Sequence, residues 1–255
     1  MHRVCTDHAQ PMHGFRAAAK ADASPVLTFV LASGLTALAA PALGQTETFT
    51  LPAGCEAFVT VQGASCQVDH HFVCSGDPDG HKRRVSFDER SMTYLGTTDD
   101  ETQWIGSFHP ISGHTEVLEP SPADPASLTE LIETGRDSYD FRTFSDEVGT
   151  TRYVGADELT GRLVEIDDVT LQETSYQITA YAEDGTELWS AKGNEFISAN
   201  WRSFLAGTGT VTVPGDTYDK DNRPVEFIFP GEPGFLSINP KHGCGVVMSS
   251  YEVAR

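Results

Sequence analysis

A chain of 255 residues with 37 acidic against 17 basic side chains carries a formal charge of −20 at pH 7. A field of that sign repels nucleic acid and anionic lipid surfaces, so neither is an expected partner. With 39% of its residues hydrophobic, the chain has enough apolar material for a sizeable core, which excludes a wholly disordered protein.

In chain order the first element is an address. Residues 25–44, Pro25-Val-Leu-Thr-Phe-Val-Leu-Ala-Ser-Gly-Leu-Thr-Ala-Leu-Ala-Ala-Pro-Ala-Leu-Gly44, are apolar and end in small residues, the pattern of a secretory signal peptide and its cleavage site. The uncharged core from Val26 to Ala40 is shorter than the ~20 residues of an ordinary transmembrane helix. Residues 1–44 are therefore expected to be removed, leaving Gln45 first and no transmembrane segment in the mature chain. Met12 offers a second start, with Arg16 and Lys20 as the positive flank. Leu51-Pro-Ala-Gly-Cys55 superficially resembles a lipid-attachment box, but Pro52 takes the leucine's place and the polar run Gln45–Thr48 separates it from the apolar core. The expected location is periplasmic or secreted. There Cys55, Cys66, Cys74 and Cys244 read as disulfide partners rather than metal or redox ligands.

Residues 45–255 read as one disulfide-stabilised β-rich domain. Cys55–Val61 and Cys66–Cys74 flank Gly63-Ala64-Ser65 as a β-hairpin. A two-residue Ala64-Ser65 loop pairs Val61 with Val68, Val59 with His70, Ala57 with Phe72 and Cys55 with Cys74, all on one face. That register predicts a Cys55–Cys74 disulfide and leaves Cys66 for Cys244. A three-residue loop centred on Ala64 would shift the register by one.

Short strands follow at Lys82–Phe87, Met92–Leu95, Gln103–Phe108 and Thr115–Leu118. One short helix is expected near 125–134, with Asp124 as cap, Pro125 in the first position, an apolar stripe of Leu128, Leu131 and Ile132, and Gly135 as stop. From Asp140 to Val213 alternation places strands at Arg152–Val154, Arg162–Ile166, Thr174–Tyr181, Glu187–Ala191, Glu195–Ser198 and Thr210–Val213. Turns are expected at Glu183–Gly185 and Lys192–Asn194, and a helical turn at Asn200–Leu205. Pro214–Asn222 reads as an acidic loop, Val225–Leu236 as a proline- and glycine-braced loop, and Gly245–Tyr251 as a last strand. The fold class is all-β: a single antiparallel meander curling into a half-barrel or sandwich, with one short helix.

Chemistry is sparse. The chain lacks Gly-x-Ser-x-Gly, His-Glu-x-x-His, Ser-x-x-Lys and Cys-x-x-Cys. Asp69, His70 and His71 lie near Cys66 and Cys74, but adjacent histidines on a strand point to opposite faces and cannot share an ion without a bulge. His70 is expected buried and hydrogen-bonded, with His71 and Asp69 a solvated pair. His81, His109, His114 and His242 sit beside Gly or Pro in predicted loops, where any one could serve as a general base, but no serine or cysteine stands in a recognisable nucleophile setting. Asp77 and Asp79, and the run Asp216–Asn222, lack calcium-loop spacing. Asp167-Asp168 and Asp99-Asp100-Glu101 read as solvated turns. No catalytic, cofactor-binding or metal residue is assigned, and the four cysteines are the assigned sites. Tyr176, Tyr181, Trp189, Phe196, Trp201, Phe204, Phe227, Phe229 and Phe235 supply core, or line a ligand cavity if the sheet curls.

The strings Pro224–Leu236 and Asn239–Gly245, with Ala180–Ser190 and the first hairpin, resemble an uncharacterised family of exported alphaproteobacterial proteins. That resemblance covers nearly the whole mature chain and implies export without implying an activity. In architecture the meander is also similar to the periplasmic half-barrels that carry lipoproteins between membranes, although no motif of those carriers is matched and their helix-rich opening is missing. The expected function is a non-catalytic periplasmic β-sheet module that binds an apolar ligand or an envelope partner. A structural or interaction protein without a cavity is the alternative, and a hydrolase or metal enzyme built from dispersed His and Asp is the third reading.

Overall fold

The computed structural model describes residues 47–245. The expected signal peptide, start and cleavage sites lie outside the described residues, as does the expected strand beyond Gly245. Fourteen strands and one helix follow in chain order: β1 (Cys55–Gly63), β2 (Val68–Cys74), β3 (Lys82–Phe87), β4 (Met92–Thr98), β5 (Trp104–His109), β6 (His114–Leu118), α1 (Leu128–Thr134), β7 (Arg136–Ser145), β8 (Gly149–Ile166), β9 (Val169–Ala182), β10 (Glu187–Ser198), β11 (Ser203–Leu205), β12 (Thr208–Val213), β13 (Asp216–Asp221) and β14 (Pro224–Ile228). No helix among the described residues is long and apolar enough to cross a membrane.

All strands join one antiparallel sheet in the order β13-β12-β10-β9-β8-β7-β6-β5-β4-β3-β2-β1-β14, with β11 paired to β10 off this path. Apart from β11 and β12, which both pair with β10, neighbours in sequence are neighbours in the sheet until β13. There the chain crosses to the opposite end, and β14 pairs with β1 through Thr60↔Ile228 and Val61↔Phe227. The sheet is not closed: β13 and β14 do not pair.

Its ends meet by overlap. Following register from strand to strand puts Val59, Val61 and Phe227 on the same face as His71, Arg84, Tyr94, Glu116, Tyr153, Tyr176 and Glu195, the inner face of the curl. Yet Val59, Val61 and Phe227 pack on Leu171, Phe196 and Leu205, which alternate to the other face of β9, β10 and β11. The inner side of one end of the sheet therefore rests on the outer side of the other. At the same place, Leu128 and Leu131 of α1 pack on Ile197 from the inner side.

The first hairpin keeps the expected register at its disulfide end, Cys55↔Cys74 and Ala57↔Phe72. A bulge at Phe58 then shifts it by one, giving Val59↔His71, Thr60↔His70 and Gln62↔Val68. The longer loop causes this: Gly63 N–H donates to the Gln67 carbonyl at 2.8 Å, and Cys66 turns left-handed at φ 51°. Both disulfides, Cys55–Cys74 and Cys66–Cys244, are present. The second spans 178 residues, a loop whose closure stabilises the fold by about 5 kcal/mol on the chain-entropy account.

The outer face of β1–β3 is also covered. Residues 47–51 and 235–241 lie across it, with Thr60 Oγ1 accepting from Leu236 N–H at 3.0 Å and Gln62 Oε1 accepting from Lys241 N–H at 2.9 Å. Phe49, Phe235, Leu236 and Ile238 complete a cluster with Val68, Phe72, Val85 and Phe87.

Several expected boundaries move. The helix starts at Leu128, capped by Ser127 Oγ, which accepts from Glu130 N–H at 3.1 Å. Asp124 instead pairs with Asp140 through the backbone. Gly135 ends the helix at φ 87°, as expected of a left-handed stop. Asn200–Leu205 is a turn leading into β11, not a helical turn, and the acidic loop Pro214–Asn222 contains strand β13. Pro224–Ile228 is a strand rather than a loop, its β-branched and aromatic residues fitting the pleat beside β1. Lys192-Gly193-Asn194 is no turn but the middle of β10. Gly193 and Gly209 stand opposite each other, and a Cβ on Gly193 would run into the Thr208 carbonyl. Close strand approach, not a positive φ, requires glycine there.

Replacing Gly193 with Ala is expected to destabilise the fold by about 1–3 kcal/mol through this overlap. Thermal unfolding checks it, against Gly113→Ala: the Gly113 Cβ meets open space and its cost is backbone strain alone.

Candidate functional site

Two polar constellations occupy the inner face. The first is built by the β5–β6 hairpin, which sets His109 directly opposite His114, with Glu116 two residues on and on the same side. The imidazoles stack with centroids 4.5 Å apart at 10°. His109 Nε2 lies 3.4 Å from Glu116 Oε2 and 3.0 Å from Ser107 Oγ. Glu116 Oε1 accepts from Thr143 Oγ1 at 2.9 Å and Tyr153 OH at 3.0 Å. Burial works against the Glu116 carboxylate, but donors from His109, Thr143 and Tyr153 outweigh it and hold its pKa down at about 2.

Sequence reasoning placed His109 and His114 in separate loops. The spacing His109-x4-His114-x-Glu116 across a tight hairpin was the available signal. The group is not a hydrolytic triad, because Ser107 and Glu116 both meet Nε2 of His109, whereas an orienting carboxylate must hold the other ring nitrogen.

The second constellation fills the curl. Asp69 and His71 of β2, Arg84 of β3 and Tyr94 of β4 face Glu195 of β10, beside Asp157, Thr174, Tyr139 and Tyr176. Arg84 sits 4.7 Å over the Tyr94 ring. Burial opposes its charge, and Asp69, Tyr94 and Glu195 reverse that balance, leaving its pKa raised. His71 Nε2, Arg84 Nε, Thr174 Oγ1 and Tyr176 OH have no protein partner.

Asp69 and His71, expected to be solvated, are both buried, His71 with 5% of its surface exposed. The reason is the overlap: the inner face of β2 is roofed, and Phe58 stands over His71 at 6.0 Å. Burial brings the pKa of His71 down to about 4 against the pull of Asp69, so it is neutral at pH 7. His70 is buried on the opposite face with Val68 and Phe72, as expected, its Nδ1 2.9 Å from Thr60 Oγ1. Burial lowers its pKa to about 4 as well.

The remaining candidates are structural. Asp77 takes a two-point bond from Arg83, at 2.7 and 2.6 Å, which holds its carboxyl below the usual range. Glu101, expected in a solvated turn, accepts from Ser127 Oγ, Thr129 N–H and Thr129 Oγ1 and pairs with Arg202 at 3.0 Å, fixing the start of α1. Asp167, expected solvated with Asp168, accepts from Phe227 N–H at 2.7 Å and so caps the free edge of β14. Asp219 and Asp221 serve Thr210 and Arg223 in turn and form no cage. His242 lies 3.6 Å from Glu226, far along the chain from the other histidines. Cys66, Cys244 and Glu89 lie together, but both sulfurs are spent in the disulfide.

Outside the curl, a groove of about 730 Å³ runs over β8, β9, β10, β12 and β13, where Glu158, Ser175, Gln177, Lys192, Asn194 and Asp219 line it.

Three carboxylates in the curl lack a cation adequate to their burial. Burial, then the charges of Glu195 and Asp137, push Asp157 up to about 8. Burial lifts Glu195 to about 7 against Lys220 and Arg84, and lifts Asp137 to about 6 against the Ser127 N–H. The unfolded chain gives up these protons near pH 4. Between there and each raised value the folded state holds these protons and the unfolded chain does not. The contribution of these three groups to stability therefore falls as pH rises, by about 1.4 kcal/mol per unit for each proton held only by the fold. The buried neutral His70 and His71 act in the opposite sense below pH 6.5. Asp157→Asn is expected to raise the melting temperature at pH 8.5 and to narrow the gap between pH 5.5 and pH 8.5. Thermal scans at the two pH values check both.

Comparison with protein-family models, with curated proteins and with solved structures finds no match.

Proposed function

We propose that the protein is an exported, non-catalytic binding module that takes a polar ligand, or a polar segment of an envelope partner, in the groove over β8–β13. The groove's lining carries the reading. Glu158, Lys192 and Asp219 supply both signs of charge, and Ser175, Gln177 and Asn194 supply donors and acceptors, all held on a hydrogen-bonded platform.

An apolar ligand is less favoured, because the aromatics that could line its cavity fill one another's space. Phe141 stacks on Tyr153 at 5.3 Å, Trp189 lies 6.0 Å from Tyr153, and Trp201 lies 5.6 Å from Phe227. Export is supported by the two disulfides and by the apolar leader-like stretch 25–44. Around His109 no hydrolytic triad is assembled, because Ser107 and Glu116 both meet Nε2 of the ring.

Native mass spectrometry of the protein purified from its own source tests the reading. The expected result is a polar small molecule or peptide adduct, lost at least tenfold in Lys192→Glu combined with Asp219→Lys. A lipid adduct, or one that persists in that variant, contradicts it.

A further inference from the structure

We propose that the β5–β6 hairpin binds a divalent transition-metal ion of the zinc class through His109, His114 and Glu116. The site shares no residue with the groove and does not rest on the function proposed for it.

One ligand atom from each of the three residues lies within 4.8 Å of the others. The 3.4 Å between His109 Nε2 and Glu116 Oε2 is close to the donor–donor edge of a tetrahedron with bonds of about 2.0–2.1 Å. Two imidazoles and a carboxylate form a donor set that suits Zn²⁺, Co²⁺, Ni²⁺ and Cu²⁺ rather than the all-oxygen set of Ca²⁺ or Mg²⁺.

The surroundings orient these ligands. Thr143 and Tyr153 occupy Oε1 of Glu116 and leave Oε2 facing the histidines. Ser112 Oγ lies 2.8 Å from His114 Nδ1, which leaves Nε2 of that ring as the ligand. The two contacts to Glu116 are of the outer kind that fixes ligand orientation in metal centres. Glu116 lies buried beneath the pair, so its carboxylate supplies an oxygen donor on the protein side of the site.

Two adjustments accompany ligation. The stacked rings place the nitrogens in parallel planes, so His114, half-buried at the hairpin end, turns about its Cβ–Cγ bond to bring Nε2 toward Glu116 Oε2 and exchanges its contact with Ser112 for the metal. Ser107 Oγ, 3.0 Å from His109 Nε2 and 3.4 Å from Glu116 Oε2, rotates aside.

The test uses the full chain with disulfides intact, stripped of metal and titrated with Co²⁺. Expected are one Co²⁺ bound with the visible absorption of a low-coordinate ion, its displacement by Zn²⁺, and nitrogen hyperfine splitting when Cu²⁺ replaces it. His109→Ala and His114→Ala should each weaken binding at least tenfold, while His81→Ala and His242→Ala match the parent. Circular dichroism of the metal-free variants establishes that they fold. Thr143→Val, which leaves all three ligands in place, should weaken binding about tenfold by freeing the Glu116 carboxylate. Lack of stoichiometric Co²⁺ uptake by the parent, or uptake unchanged in both His109→Ala and His114→Ala, overturns the proposal.

Discussion

The fold depends on how the two ends of a long antiparallel meander are held together without a hydrogen-bonded seam. From β1 to β13 each strand pairs with a neighbour already placed, and this local pairing leaves two free edges. An exposed edge invites pairing with another chain. Here β14 leaves the last meander strand, crosses to the first and covers it. Asp167, at the tip of the long β8–β9 hairpin, then caps the outer side of β14 through the Phe227 N–H. The apolar contact of Val59, Val61 and Phe227 with Leu171, Phe196 and Leu205 supplies the attraction, and the Cys66–Cys244 bridge restricts the chain's freedom to leave it.

From that overlap follows the distribution of polarity. Rolling the sheet roofs the inner faces of β2, β3 and β10 together, so Asp69, His71, Arg84 and Glu195 lie where only a few charges can be matched. The result is a neutral His71, a guanidinium shared among Asp69, Tyr94 and Glu195, and carboxylates with raised pKa. Hydrophobic packing holds the aromatic half of the curl, and it does so by filling it: Tyr139, Phe141, Tyr153, Tyr176 and Ile178 form one cluster. Polar side chains remain reachable on the outer groove and at the β5–β6 hairpin end.

Much of the meander was legible in the sequence because strand alternation is a local signal. β3 matches its expected span, and the helix stop at Gly135 and both disulfides follow from residue type and spacing. What escaped was non-local. Gly193 looked like a turn because glycine usually marks one, whereas here it allows two strands to approach. Pro224–Ile228 looked like a loop because nothing in its own residues says that β1, with Thr60 opposite Ile228, awaits a partner from the far end of the chain. His71 looked solvated because alternation assigns a side chain to a face but not a roof to that face. The His109–His114 pair was hidden by the same limit: the loop reading of each residue was reasonable, and only the hairpin brings them opposite.

Hydrogen exchange on the parent and on Cys66→Ser combined with Cys244→Ser tests the overlap most directly. The account predicts that amides of β1 and β14 lose protection together with those of β9–β11 around Leu171, Phe196 and Leu205, while β7 and its neighbours on β8 keep theirs. Unchanged protection in β14, or loss confined to the residues next to the two serines, would contradict it.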